Sequence, residues 1–247
     1  MTLYLWAEKL KLKRSNVFKV AIFSTLVVAV IVFMQGQFQY YGQRYIDDPE
    51  WYLTAIQSLG SFYVFPAIIA LMGSYIICRE NQDDTMKSLV LIPVNILKML
   101  GAKLIITALF SILLYIFIFV IALAVESLLH FSLIDFKMII SFFKMFFLSG
   151  IGFFLAVSPI ITLVYKLKGS HWLALISAEV FAFLGLFASM QSTVRSIYPI
   201  TAVFNISGYY ETTPIEFILS FISLTLCGTV SVLFIMRFNK NMSNSSF

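Results

Sequence analysis

Residues 104–125 carry no charged side chain at all. An apolar helix needs about 20 residues to cross the hydrocarbon of a bilayer, and this stretch meets that requirement with margin. A soluble fold has no place for such a segment unless lipid is its solvent. Five further apolar runs carry at most one charged residue each, at 17–34, 56–78, 144–165, 172–189 and 215–236. The fifth in chain order is the weakest, because it is short and contains Glu179. Composition agrees: 60% of the 247 residues are hydrophobic and 12% charged, with a mean hydropathy of +0.94, against about a quarter charged in ordinary globular domains. The expected fold is an all-α membrane protein of six transmembrane helices. One domain spans residues 1–238, and a polar tail at 239–247 reads as disordered.

Lysine and arginine fix the orientation, because cytoplasmic segments retain them. With both termini inside, the cytoplasmic face receives Lys9, Lys11, Lys13, Arg14, Lys19, Arg79, Lys87, Lys98, Lys103, Lys166, Lys168, Arg237 and Lys240. The outer face receives only Arg44, Lys137, Lys144 and Arg195. The net charge of +5 therefore comes from residues beside apolar runs and points to anionic lipid, not nucleic acid. The first run follows a basic segment as a signal peptide does, but it is long and lacks a small-residue cleavage pattern, so it is expected to remain. Cys78 and Cys227 have neither CxxC nor Cys/His spacing, so neither a metal site nor a disulfide is indicated.

The segments between spans have characters of their own. In residues 1–16, Leu3, Trp6 and Leu10 share one side among lysines, which predicts an amphipathic helix in the cytoplasmic interface. The outer loop 36–54 carries Tyr40, Tyr41, Tyr45 and Trp51 beside Asp47, Asp48 and Glu50; an interfacial aromatic belt and a substrate-contact surface both fit it. Residues 131–143 predict a short outer-surface helix, with Lys144 reaching back to the interface. Residues 190–214 are too short and too broken by Pro199 to cross, which predicts a re-entrant segment before the sixth span. Glu179 either lines a pathway or bonds a neighbouring helix as a protonated acid. His130 and His171 lie near opposite membrane faces, so the chain offers no convergent catalytic group.

The cytoplasmic connection 79–103 holds the richest pattern. Asp83 or Asp84 can cap a short helix, Met86, Leu89 and Val90 form its apolar face, and Pro93 breaks it before a second helix rises into the third span. Glu80, Asp84, Thr85, Leu89, Pro93, Lys98 and Lys103 together resemble the pattern of the type-2 permeases of ABC exporters, although family members usually carry Gly where Asp84 stands. The resemblance covers the whole chain, from amphipathic N-terminus to broken outer segment. In size and opening residues the chain is most similar to permeases of the lantibiotic-immunity and bacitracin-resistance kind.

That resemblance implies a permease subunit in the cell membrane that removes a peptide antibiotic or amphiphile. It also implies a second permease, identical or different, and a pair of ABC ATPase subunits that carry ATP and Mg. No GxxxxGK[ST] sequence is present here, so no catalytic residue and no cofactor is expected in this chain. The expected coupling surface to the ATPase is Glu80, Asp83, Asp84, Thr85, Met86 and Leu89. Two other classes compete: an intramembrane enzyme, and a membrane sensor or scaffold that binds peptide without transport.

Overall fold

The computed structural model describes residues 4–6, 8, 16–40, 42–82, 95–167 and 170–244. Its elements are α1 (Asn16–Gly36), a hairpin of β1 (Gln39–Tyr40) and β2 (Gln43–Arg44), α2 (Trp51–Tyr63), α3 (Phe65–Gln82), α4 (Ile96–Leu129), α5 (Phe136–Lys166), α6 (His171–Ala188), α7 (Ser192–Ile197), α8 (Pro199–Ser207) and α9 (Pro214–Asn244). Among the described residues, five helices are long and apolar enough to cross a membrane. The bent pair α2–α3 makes six if its two parts count as one span.

That pair was expected as one straight run at 56–78, and Pro66 explains the difference. A proline inside a helix removes an N–H donor and crowds the carbonyl four residues back, here that of Phe62. The helix breaks at Val64 and turns by 50°. Gly60 makes the bend compact: a Cβ there would fall 2.3 Å from the Phe65 ring, which lies over it. Helices α4 and α5 run longer than their apolar cores. At about 1.5 Å per residue, α4 covers about 50 Å and carries its polar ends beyond a hydrocarbon layer of about 30 Å.

Helix α5 is the centre of the bundle and packs against α3, α4, α6, α8 and α9. Small residues let backbones approach where apolar attraction between helices is absent in lipid. A Cβ on Gly150 would meet the Ile112 backbone at 2.8 Å, and Ser111 Oγ donates to the Gly150 carbonyl at 2.6 Å. The short outer helix expected at 131–143 is replaced by one 3-10 turn, Phe131–Leu133, followed directly by α5. Nothing between Phe136 and Lys144 interrupts helical bonding, so Lys144 rides on the span itself and stays exposed.

The broken segment before the last span consists of α7 and α8, separated at Tyr198. Helix α8 is almost wholly buried; Phe204 stacks on Phe62 at 4.8 Å and meets Phe153 edge-on at 5.6 Å. Irregular backbone at membrane depth must find its hydrogen bonds within the protein. Here Ser223 Oγ donates to the Ile197 carbonyl at 2.6 Å, Thr201 Oγ1 to Arg195 at 2.7 Å, and Tyr198 Oη to Phe181 at 2.5 Å. Asn205 Nδ2 donates to Ser196 and Ser220, tying α8 to α7 and α9. At the C-terminal end, α9 continues through Asn244, past the tail expected from residue 239. No proline or glycine follows Gly228 to end it. At the other end of the chain residues 4–6 and 8 are helical, with Trp6 exposed and Glu8 buried.

The close α4–α5 contact gives a stability prediction. Gly150→Ala is expected to cost about 1–3 kcal/mol by forcing two backbones apart. Gly228→Ala, whose new Cβ would meet only Leu155 Cδ2 at 3.4 Å, is expected to be neutral or stabilising. Unfolding in mixed micelles titrated with a denaturing detergent measures both.

Candidate functional site

The C-terminal end of α3 and the N-terminal end of α4 meet across a buried ion pair. Asn95 caps α4, its side-chain oxygen accepting from the Lys98 amide at 3.0 Å. Two turns on, Lys103 is fully buried and reaches across to α3, where its ammonium pairs with Glu80 and donates to the Ile76 carbonyl at 2.7 Å. Burying an ammonium group costs several kcal/mol unless charge and hydrogen bonds compensate it, so this contact fixes the two helix ends together. Arg79, the neighbour of Glu80, lies over the Tyr75 ring at 5.9 Å.

Of the expected coupling residues, Glu80 is thus turned inward to Lys103 and only 5% exposed. Asp83, Asp84, Thr85, Met86 and Leu89 lie outside the described residues. Glu80 and Lys103 bracket the segment 81–102 in the sequence. The sequence pattern contained both residues but not their contact. A glutamate at the end of one span and a lysine at the start of the next was the available signal.

A second polar cluster closes the opposite end of the bundle. Tyr45 and Trp51 stack at 5.7 Å, over Gly36 at the end of α1, where a Cβ would fall 2.8 Å from the Trp51 ring. Tyr41 and the side chain of Tyr40 lie outside the described residues. Arg44 donates from Nε and Nη2 to both carboxylate oxygens of Asp47, at 3.1 and 2.8 Å. This bidentate bond holds the Asp47 carboxyl below its ordinary range. The exposed pair therefore persists above that range and is lost as pH falls through the lowered value.

The loop is joined to α4 by Glu126 and His130. Glu126, 1% exposed, accepts from the Glu50 amide at 3.0 Å and sits 2.9 Å from His130 Nδ1; His130 Nε2 lies 3.2 Å from the Asp47 carbonyl. Their i,i+4 spacing at the helix end was the readable signal.

Glu179 lies half-buried on α6, beside the buried stripe Ala174, Ala178, Ala182 and Gly185. Its Oε2 is buried and accepts no hydrogen bond from the described protein groups. His171 begins the same helix, with Tyr75 edge-on at 6.1 Å. The two histidines thus sit at opposite ends of the bundle, each with its own neighbours.

The anchoring role of the inner pair is testable. Lys103→Met, which removes the buried cation beside Glu80, is expected to cost about 3–5 kcal/mol. Adding Glu80→Leu to it is expected to restore much of that loss. A double-mutant cycle of unfolding free energies measures the coupling.

Comparison with known families adds a finding to this geometry. The model of a family described as "ABC-2 family transporter protein" matches residues 4–185, from the N-terminal segment to the last turn of α6. No curated protein matches the chain.

Proposed function

This chain belongs to the ABC-2 transporter family, and from that premise we propose that it is the permease of an ATP-driven exporter clearing a peptide antibiotic or similar amphiphile from the cell membrane. As a family member it is a multi-pass membrane transport component, not itself a catalyst, and its family implies partnership with an ABC ATPase. In this reading two permeases, identical or different, sit above two ATPases that bind ATP and Mg, and both termini face the cytoplasm.

The observation that carries the reading is the pairing of Glu80 with Lys103 at the base of α3 and α4. A cytoplasmic elbow transmits force only if its ends are fixed to the spans it moves. The buried pair supplies such a fixture, and it gives Glu80 a positioning role instead of direct ATPase contact. Asp83, Asp84, Thr85, Met86 and Leu89 then form the surface that enters a cleft of the ATPase. Closure of the ATPase dimer shifts the permease between two arrangements with different affinity for cargo. Glu179, with one carboxylate oxygen buried and unmatched, is the candidate pathway residue. The aromatic loop with Tyr40, Tyr41, Tyr45 and Trp51 is the candidate outer contact for cargo, and the lantibiotic-immunity or bacitracin-resistance kind of exporter is the proposed subtype.

Met86→Asp and Leu89→Asp test the coupling surface. Each is expected to weaken capture of the ATPase subunit at least about tenfold and to lower resistance of the host cell, with the amount of permease in the membrane unchanged. Unchanged capture and unchanged resistance in both variants would remove the assignment.

A further inference from the structure

Helix α5 contains Pro159, and its missing N–H leaves the Leu155 carbonyl without its usual helical donor. Ser158 Oγ lies 2.9 Å from that carbonyl and 2.7 Å from Ser231 Oγ on α9. Each hydroxyl has one proton. With Ser158 donating to Leu155, the Ser231 proton goes either to Ser158 or to the Cys227 carbonyl at 3.0 Å, which the α9 backbone can also serve. The two hydroxyls thereby turn inward, and a groove of about 300 Å³ opens beside them, lined by apolar atoms of Leu104, Ile105, Phe154, Leu155, Gly228 and Val232. Ile105 and Val232 are 43% and 46% exposed, so the groove opens sideways on the face turned to lipid.

Two cations stand below it at the same end of the bundle. Lys98 precedes Ile105 by seven residues, two helical turns on one face of α4. Lys166 follows Leu155 by eleven residues, three turns on one face of α5. Both side chains are exposed, and Lys166 Nζ lies over the Phe234 ring at 5.4 Å, at the seam of α5 and α9. An apolar trough with two lysines at one end matches an amphiphile with a hydrocarbon tail and a negative head.

We propose that this groove seats one acyl chain of an anionic phospholipid whose phosphate lies against Lys98 and Lys166. The lipid belongs to the leaflet on the Lys98 side, which is the cytoplasmic leaflet under the orientation proposed above. It is a site apart from the aromatic loop and from Glu179. Because α4, α5 and α9 all line it, an occupant there bears on the same helix whose base Lys103 anchors.

The test uses the full chain, delipidated in detergent and offered equal amounts of dioleoylphosphatidylglycerol and dioleoylphosphatidylcholine, with retained lipid counted by native mass spectrometry. The wild type is expected to prefer the anionic lipid, and Lys98→Gln or Lys166→Gln to reduce that preference by about fivefold each. Gly228→Leu, which fills the trough, is expected to lower retention of both lipids; should it not fold, Ile105→Gln at the exposed rim carries the same arm. Equal retention of the two lipids by the wild type would overturn the proposal, as would unchanged retention in the groove variant. So would a lipid-free dimer cross-linked through cysteines at 105 and 232, which would assign the groove to a second copy. ATPase capture is unaffected by any of these outcomes, so this site and the coupling surface stand or fall separately.

Discussion

A fully buried ammonium group has few tolerable environments, and Lys103 is one. Its position near the start of α4 means that α3 must end where a carboxylate and a backbone carbonyl can meet it, and Glu80 and Ile76 supply these. That single requirement sets the relative height of the two helices at this end of the bundle. It also fixes both ends of the segment between them. A force applied to such a segment moves helices; applied to a slack loop it would only move the loop.

The same logic of satisfied polar groups explains the outer half. Glu126 and His130 hold the 36–50 loop to the top of α4, and side-chain hydroxyls close the backbone of the break between α7 and α8. Helix α4 is therefore pinned at both ends, by a lysine below and a glutamate above. Against it lies α5, brought close by Gly150 and touching most of the remaining helices. Motion of α3 and α4 at their inner ends cannot stay local in such a bundle, because tight packing transmits displacement.

Much of this architecture was legible in the sequence, since hydrocarbon thickness and charge-free runs leave little choice. Each apolar run became a helix, and the broken character of 190–214 followed from Pro199. The bend in the second run was also written in the chain, at Pro66, but a hydropathy reading weighs apolar character above backbone donors and passes over it. The continuity of 136–166 was obscured because Lys137 and Lys144 look like boundary signals, whereas exposed lysines tolerate a place on a long helix. The site was less legible. Glu80 and Lys103 were both conspicuous, yet sequence spacing cannot reveal that they face each other. Glu126 and His130 lay in a helix end where a single acid and a single histidine carry little weight.

The account rests on the bracketed segment facing the compartment that supplies ATP. Single cysteines at positions 47 and 85, introduced after replacing Cys78 and Cys227, allow a direct measurement with a membrane-impermeant maleimide on intact cells. Labelling of position 47 in intact cells, with position 85 labelled only after permeabilisation, is the predicted result. Labelling of position 85 from outside would contradict the account at its base.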